Sequence, residues 1–387
     1  METTIMRQLA EAFSEKFPGK PLMFRSPGRV NLIGEHTDYN NGFVLPAAID
    51  RELHFAIAPN NSGTCRFYAL NMQEGRQFNL QDNATAEGSW LDYLLGVTRL
   101  VHQNIAPVGG FDCVFGGDIP AGAGLSSSAA LEGGLAFALN HIFNLKLTRE
   151  KMALLAQQAE HEYAGVKCGI MDQFASLRGK AGHAIKLDCR SLETEYIPAN
   201  FEGYKILLCD TGVSHSLASS EYNTRRSECE AGVAALQQAF PQVKSLRDAS
   251  QDMLSRVTGQ VTEVIFKRCS YVIAENQRVE KACEHLRAGE LQKFGELMYH
   301  SHDGLSQEYE VSCPELDFLV DFTRDRANVA GARMMGGGFG GCTINLVKTE
   351  GVQAFVEEIG AAYQQKTGRA LKSYITKIVD GTSLLPS

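Results

Sequence analysis

The sequence predicts an α+β fold divided into two domains. Length is the first observation: 387 residues are enough for two domains of ordinary size, each with its own core. Composition is the second, since 44% hydrophobic and 21% charged residues are the proportions of a soluble globular chain. The third is order along the chain. Strand-like and helix-like segments are mixed without the regular alternation of a doubly wound sheet.

Residues 1–17 read as an amphipathic helix because Ile5, Leu9, Phe13 and Phe17 recur four apart. Strand-like runs follow at 22–25, 43–49, 53–58 and 64–69, punctuated by turn residues such as those at 59–63. Phe111 to Phe115 alternates as a strand does, and an Ala/Leu-rich helix is expected from about Ser127 to Asn144. Thr148 is suited to cap a helix over 149–164, whose Met152, Leu155, Ala156, Ala159 and Tyr163 share one apolar face. Strands are expected at 183–189 and 204–210, and helices at about 217–240 and 262–287. The last third offers Val329 to Met334, a glycine cluster and a strand from Cys342 to Val347. A helix at 350–366 and a strand near Ser373 to Val379 end it. Glu193 to Phe201 is the best linker, giving an N-terminal domain at 1–195 and a C-terminal domain at 196–387.

The bulk numbers exclude several classes of function. A net charge of −8 argues against an electrostatic grip on nucleic acid or anionic membrane, though not against a nucleotide held by local loops. The ten cysteines are scattered singly without a C-x-x-C pair, so zinc-site spacing is absent and reduced thiols are expected. Neither a signal peptide nor a run of membrane-spanning length is evident. A cytoplasmic monomer acting on small molecules, with no obligate protein partner, is the expectation.

The segment from Arg29 to Gly42 is the densest in chemistry. It gathers Arg29, Glu35, His36, Asp38 and the amides Asn31 and Asn40 between two strand-like runs. A charged solvated turn is the plain structural reading. Val30, Leu32 and Ile33 interleave with the polar residues and would pin the loop to the body of the protein, which suits a preorganised site for a polyhydroxylated molecule.

Gly117 to Ala129 is a second such constellation. Glycines and serines between a strand and a helix start leave backbone N–H groups free to face an anion, aided by the helix dipole. Gly124 is followed by Leu125, Ser126, Ser127 and Ser128, with no lysine, so this is no Walker A loop. Glu160 lies on or beside the apolar face of its helix, where a carboxylate needs a metal ion or an arginine to compensate it. Asp172 sits at an expected helix start, where an N-cap is the structural alternative. Tyr222, and Trp90 with Tyr93 three residues on, could be core aromatics. Arg225 and Arg226 read as a solvated or salt-bridged face. The glycine run at 336–341 permits close backbone approach to a ligand.

Residues 28–40 resemble the galactokinase signature, within the family of small-molecule kinases that includes homoserine, mevalonate and phosphomevalonate kinases. Pro120, Gly122, Gly124, Leu125, Ser127, Ser128 and Ala129 are similar to that family's second motif, and 336–341 to its third. The resemblance implies a two-domain fold with the active site in the cleft between domains, and ATP and Mg²⁺ as cofactors. It implies that Gly122, Gly124, Leu125, Ser126, Ser127 and Ser128 wrap the ATP phosphates, with Gly337 and Gly338 closing the site. Ser128 and Glu160 would hold Mg²⁺. Trp90 and Tyr93 would meet the adenine. Asp172 would be the catalytic base, aided by Arg29, while Glu35, His36, Asp38, Gly169 and Tyr222 would face the sugar. The activity implied is phosphorylation of galactose at C1. A kinase for a related sugar such as N-acetylgalactosamine and a non-catalytic galactose/ATP sensor are the alternatives; the intact Ser128-Ala129 step speaks against the sensor.

Overall fold

The computed structural model describes residues 4–82, 86–120, 122–213 and 218–386. Residues 1–3 of the expected first helix, Ala121 of the expected phosphate loop and residue 217 of a later expected helix lie outside them. Helix α1 (Thr4–Lys16) is followed by β1 (Leu22–Asn31), β2 (Phe43–Val44), β3 (Pro46–Pro59), β4 (Thr64–Ala69) and β5 (Glu74–Asn79). The runs expected at 43–49 and 53–58 are therefore mostly one long strand. Asp50 and Glu52 made it read as broken, but each has a partner: Glu52 accepts from Arg25 at 2.6 Å, and Asp50 accepts from Thr376 and the Lys377 N–H.

Next come α2 (Trp90–Asn104), β6 (Phe111–Gly117), α3 (Ser127–Ile142) and α4 (Arg149–Ala159). Ser89 and Asp92 form a reciprocal capping box on α2, and the Thr148 hydroxyl caps α4 as expected. The helix expected to continue to 164 instead widens into a π turn at Glu160–Ala164. Such turns occur often at functional sites. Helix α5 (Met171–Arg178), β7 (His183–Asp188), β8 (Thr194–Pro198) and β9 (Tyr204–Asp210) follow.

The remainder comprises α6 (Ala218–Ala239), α7 (Gln251–Ser255), α8 (Glu263–Arg287), α9 (Leu291–Gln307), α10 (Pro314–Arg324), β10 (Val329–Met334), β11 (Cys342–Lys348), α11 (Val352–Thr367), β12 (Lys372–Thr376) and β13 (Ser383–Leu384). One sheet has the order β13-β1-β3-β6-β4-β5, antiparallel except where β4 runs beside β6. A second has the order β10-β11-β9-β12, and a small third sheet is β2-β7-β8.

Helices α3 and α5 pack on β1 and β3, with α2 and α4 behind α3. This buries a cluster that includes Phe24, Phe55, Leu135, Leu139 and Phe174. A second cluster joins Val30, Leu32 and Ile33 to Val279, Met298 and Ile344, and so ties the end of β1 to α8, α9 and the second sheet. That junction sets the position of the site.

Candidate active site

Val30, Leu32 and Ile33 are fully buried, so the loop after β1 is fixed by its apolar residues while Glu35, His36 and Asp38 line a cavity and the amides Asn31 and Asn40 stay buried outside it. His36 adopts a left-handed backbone (φ 62°), a strained choice for a non-glycine residue that the surrounding hydrogen bonds hold in place. Asn40 donates to the His36 carbonyl at 2.8 Å, and the Thr37 hydroxyl bonds to the carbonyls of Gly34 and Phe43. Helix α8 supports the loop from below. Glu275 accepts from the Gly34 N–H at 2.9 Å, Asn276 accepts from the Phe43 N–H at 2.8 Å, and the Tyr271 hydroxyl donates to the Glu35 carbonyl at 3.1 Å. From β10, the buried Arg333 donates to the Asn31 and Leu32 carbonyls and to Glu35 at 2.8 Å.

One polar cavity is lined by Arg29, Glu35, His36, Asp38, Gly169, Met171, Asp172, Tyr222, Gly336 and Gly337. All five residues singled out for the sugar are in it, although four distant stretches of chain supply the lining. Gly169 has no room for a side chain: a Cβ there would come within 1.8 Å of Asp38 Oδ2. Burial, reinforced by the Asp172 carboxylate, pushes Asp38 up to about 7. Burial, reinforced by Arg225, pushes His36 down to about 3, so its ring is neutral at any ordinary pH. The cavity thus offers hydrogen-bond acceptors and a neutral imidazole, a surface for hydroxyls rather than for a charged ligand.

At one wall, Arg29 Nε and Nη2 bond to the two oxygens of Asp172 at 2.7 and 2.8 Å. Burial opposes the guanidinium's charge, but Asp172 and Glu35 outweigh it and raise the Arg29 pKa. Asp172 stands in the first turn of α5 and leaves the N-cap to Ile170, so it is not a capping residue. Strand β1 shifts register between Pro27 and Arg29. A Cβ on Gly28 would lie 2.7 Å from the Leu125 carbonyl, which lets the glycine-serine loop approach and accept from the Arg29 N–H at 3.2 Å.

A second cavity is lined by Pro120, Gly122, Gly124, Leu125, Ser126, Ser127 and Ser128, and by Arg29, Asp172, Gly336 and Gly337. Ser127 and Ser128 begin α3, whose free N–H groups face this space. Ser126 does more than line it, because its hydroxyl bonds Asp172. Gly338 has a packing role: a Cβ there would lie 2.1 Å from the Val311 carbonyl, and Gly338 lines neither cavity.

Ser128 Oγ and Glu160 Oε1 lie 3.1 Å apart. Gln173 Nε2 bonds the other Glu160 oxygen at 2.8 Å and Glu132 at 3.3 Å. Burial raises the Glu160 pKa, so a cation would relieve a real electrostatic cost there. An alcohol and a carboxylate suit a hard cation such as Mg²⁺. Among the described residues no cluster of three or more His, Cys, Asp or Glu could hold a metal alone. Phosphate oxygens and water would have to complete the shell.

Trp90 and Tyr93 are half-buried on the core of the first sheet and line neither cavity. The Trp90 indole donates to Glu74 at 3.0 Å and meets Phe115 edge-on. Arg225, expected on a solvated or salt-bridged face, is buried rather than solvated: it pairs with Glu228 at 3.4 Å and donates to the carbonyls of Tyr309 and Glu310 at 2.8 and 2.9 Å. Arg226 pairs with Glu230 at 3.0 Å, as a salt-bridged face requires.

The galactokinase galactose-binding signature matches residues 11–59, the GHMP kinases N terminal domain residues 92–180 and the GHMP kinases C terminal domain residues 280–365. A galactokinase of Chloroflexus aurantiacus is 42% identical over 377 residues, 97% of this chain and 96% of its own length. A Roseiflexus galactokinase is 40% identical over 375 residues, again 97% and 96% of the two chains. The crystal structure of Lactococcus lactis galactokinase complexed with galactose superposes with a TM-score of 0.95 at 35% identity, covering 99% of this chain and 100% of that one. This chain belongs to the galactokinase family. Its two-domain fold is that of the wider kinase group. Methanococcus jannaschii mevalonate kinase, at 20% identity, shares the fold with a TM-score of 0.66 over 94% of this chain and 99% of its own.

Sequence reading missed two residues in this galactokinase-family site. Gln173, fully buried beside Asp172, holds Glu160, and its one signal was a polar residue on the inner side of a short helix. Arg333 reads as an ordinary charge in a strand, yet no side-chain surface is exposed. Arg333 is the one polar residue in the run from Val329 to Met335, and that run was the available clue.

Proposed function

We propose that this chain is an ATP-dependent galactokinase that moves the γ-phosphoryl group of ATP to the C1 hydroxyl of α-D-galactose. One observation carries the reading: Arg29, Asp172, Gly336 and Gly337 line both the hydroxyl-binding cavity and the glycine-serine cavity. A nucleophile in the first and a phosphoryl donor in the second would meet at the Arg29–Asp172 pair. The family's curated members are named galactokinases, and the L. lactis relative was crystallised with galactose.

In this reading Glu35, Asp38, His36, Gly169 and Tyr222 hold the sugar. Carboxylates accept strong charge-assisted bonds from hydroxyls, and an epimer that leaves such an acceptor unpaired is rejected. Asp172 accepts the C1 hydroxyl proton, held in orientation by Arg29 and Ser126. In a loose transition state the proton leaves late, and the pair then acts mainly by positioning and by offsetting phosphoryl charge. The N–H groups at the start of α3 and the glycines of the loop bind the phosphates. Ser128 and Glu160 would hold Mg²⁺, which would neutralise phosphate charge there. Trp90 and Tyr93 are assigned to the adenine by the family resemblance alone, since they line neither cavity. We read the protein as a monomer and place it in the cytoplasm, where its ten free cysteines stay reduced.

The test is ADP release with galactose, N-acetylgalactosamine, glucose and arabinose. Turnover should be fastest with galactose. Turnover with N-acetylgalactosamine alone would move the assignment to that sugar, and turnover with none would remove the enzyme reading.

A further inference from the structure

Ser126 immediately precedes α3, at the N-cap place where a serine side chain ordinarily accepts a hydrogen bond from a first-turn N–H. Helices α2, α4, α7 and α8 also follow a serine or threonine, and in each the side-chain oxygen makes that bond. Ser126 does not. Its backbone is left-handed (φ 59°, ψ 52°), where a residue with a side chain is strained, and its hydroxyl turns instead to Asp172 Oδ2. Arg29 holds the loop that carries it: Nη1 donates to the Gly124 carbonyl at 2.6 Å, and the Arg29 N–H to the Leu125 carbonyl at 3.2 Å. The cap forgone leaves the first N–H groups of α3 open to an anion, while the conformation adopted ties the loop to the carboxylate.

An ionised carboxylate offers about four acceptor positions, two on each oxygen. Among the described residues, Asp172 Oδ2 receives two donors, Arg29 Nη2 at 2.8 Å and the Ser126 hydroxyl. Oδ1 receives only Arg29 Nε, at 2.7 Å. The unfilled position is therefore on Oδ1. Ser126 lines the glycine-serine cavity and not the hydroxyl-binding one, whereas Asp172 lines both, so the serine reaches Oδ2 from the phosphate side.

We propose that Ser126 is a positioning residue and not a phosphate ligand: by filling Oδ2 of Asp172, it leaves Oδ1 as the oxygen that takes the proton of the sugar's C1 hydroxyl. In the transfer, the C1 oxygen bonds to the γ-phosphorus as the bond from that phosphorus to the ADP oxygen breaks. The hydroxyl proton passes to Oδ1, and the bonds from Arg29 and Ser126 keep the carboxylate from turning as it arrives. This inference rests on the base role of Asp172 given above.

The test compares Ser126→Ala with Ser126→Gly, each checked for folding by its thermal midpoint. Both lose the hydroxyl, but glycine also relieves the left-handed backbone. In both, kcat should fall by about tenfold while KM for galactose and KM for ATP each stay within about twofold, the mark of an interaction that counts in the transition state. A wild-type kcat in Ser126→Gly would show that only the backbone matters, and a raised KM for ATP at unchanged kcat would return Ser126 to the phosphates. Either result overturns the proposal. A crystal structure of the galactose complex reads the atom directly: the sugar O1 should lie within hydrogen-bond distance of Oδ1, the oxygen that Arg29 Nε holds, and O1 on Oδ2 would overturn it. Failure of the underlying base role would be separately visible, as near-normal turnover of Asp172→Asn.

Discussion

Asp172 carries the chemical step in our reading, and its surroundings make that testable at a single atom. Arg29 grips both carboxylate oxygens, so Asp172→Asn preserves the shape but removes a proton acceptor. It should retain galactose binding by calorimetry while kcat, read as ADP release, falls by about 10²-fold or more. Near-normal turnover would take the base role away from Asp172. Asp38 gives a pH prediction. Its folded pKa of about 7 lies above its ordinary value of 3.8. The protonated form is therefore favoured on folding, and that stabilisation is present below pH 3.8 and lost as pH rises through 7. Sugar binding asks for the opposite, the ionised acceptor. KM for galactose should rise as pH falls below 7, by at most about tenfold per unit, and level off above it. Asp38→Asn should flatten the profile, and His36, neutral across this range, should contribute nothing to it. The residue types of this site were legible because Glu35, His36 and Asp38 crowd one short segment. Residues acting through others were not: Gln173 and Arg333 lie far apart in sequence, and folding alone reveals what each one touches.

Single elements carry functional side chains, but neighbouring elements hold them in place. The sugar loop gets its residues from the end of β1 and its rigidity from α8 and β10. Arg333→Met removes a buried charge and leaves Glu35 with the Gly336 N–H and the field of Arg29 to balance it. Breaking a buried pair of this kind costs about 3–5 kcal/mol, to be read as a lowered denaturant midpoint at unchanged slope. Arg226→Met, on a partly exposed pair, should stay within about 0.5 kcal/mol and serves as the control. Gln173→Leu concerns α5 and the π turn together, because Gln173 is the link between α5 and Glu160. Loss of such support weakens metal affinity by about 10- to 100-fold, measurable as direct Mn²⁺ binding with nucleotide present. The same dependence on neighbours explains which elements the sequence disclosed. Strand β6 and helices α4 and α8 have strong periodic patterns or caps. Helix α9 went unread because Gly295 and Gly304 interrupt it, yet Gly295 is required there: a Cβ would lie 1.8 Å from the Ala330 carbonyl on β10. Strand β8 read as a linker because it is short and alternates at the edge of a three-stranded sheet.

At the scale of the whole molecule, the C-terminal segment returns to the first sheet, where β13 pairs with β1. No local pattern predicts a two-residue strand more than 350 positions from its partner. Its placement nevertheless bears on catalysis. Thr382 is fully buried, with its hydroxyl 3.0 Å from that of Ser26 on β1 and 3.0 Å from the Ser176 carbonyl on α5. Those two elements also supply Arg29 and Asp172, three and four residues away respectively. The strap therefore fixes the spacing of β1 and α5 at the site where base and guanidinium must meet. Thr382→Val keeps the side-chain shape and removes the hydroxyl, leaving Ser26 and Ser176 to bond one another at 3.1 Å. The direct cost should be about 1–3 kcal/mol of stability, the scale of the two buried hydrogen bonds that hydroxyl makes. Displacement of reacting groups by about 1 Å can cost about 10²-fold in rate. kcat should accordingly fall by more than the binding of galactose weakens, since the sugar loop is held independently by α8 and β10. An equal loss of kcat and galactose affinity, or stability lost with kcat intact, would show that the strap supports the fold without setting the catalytic geometry.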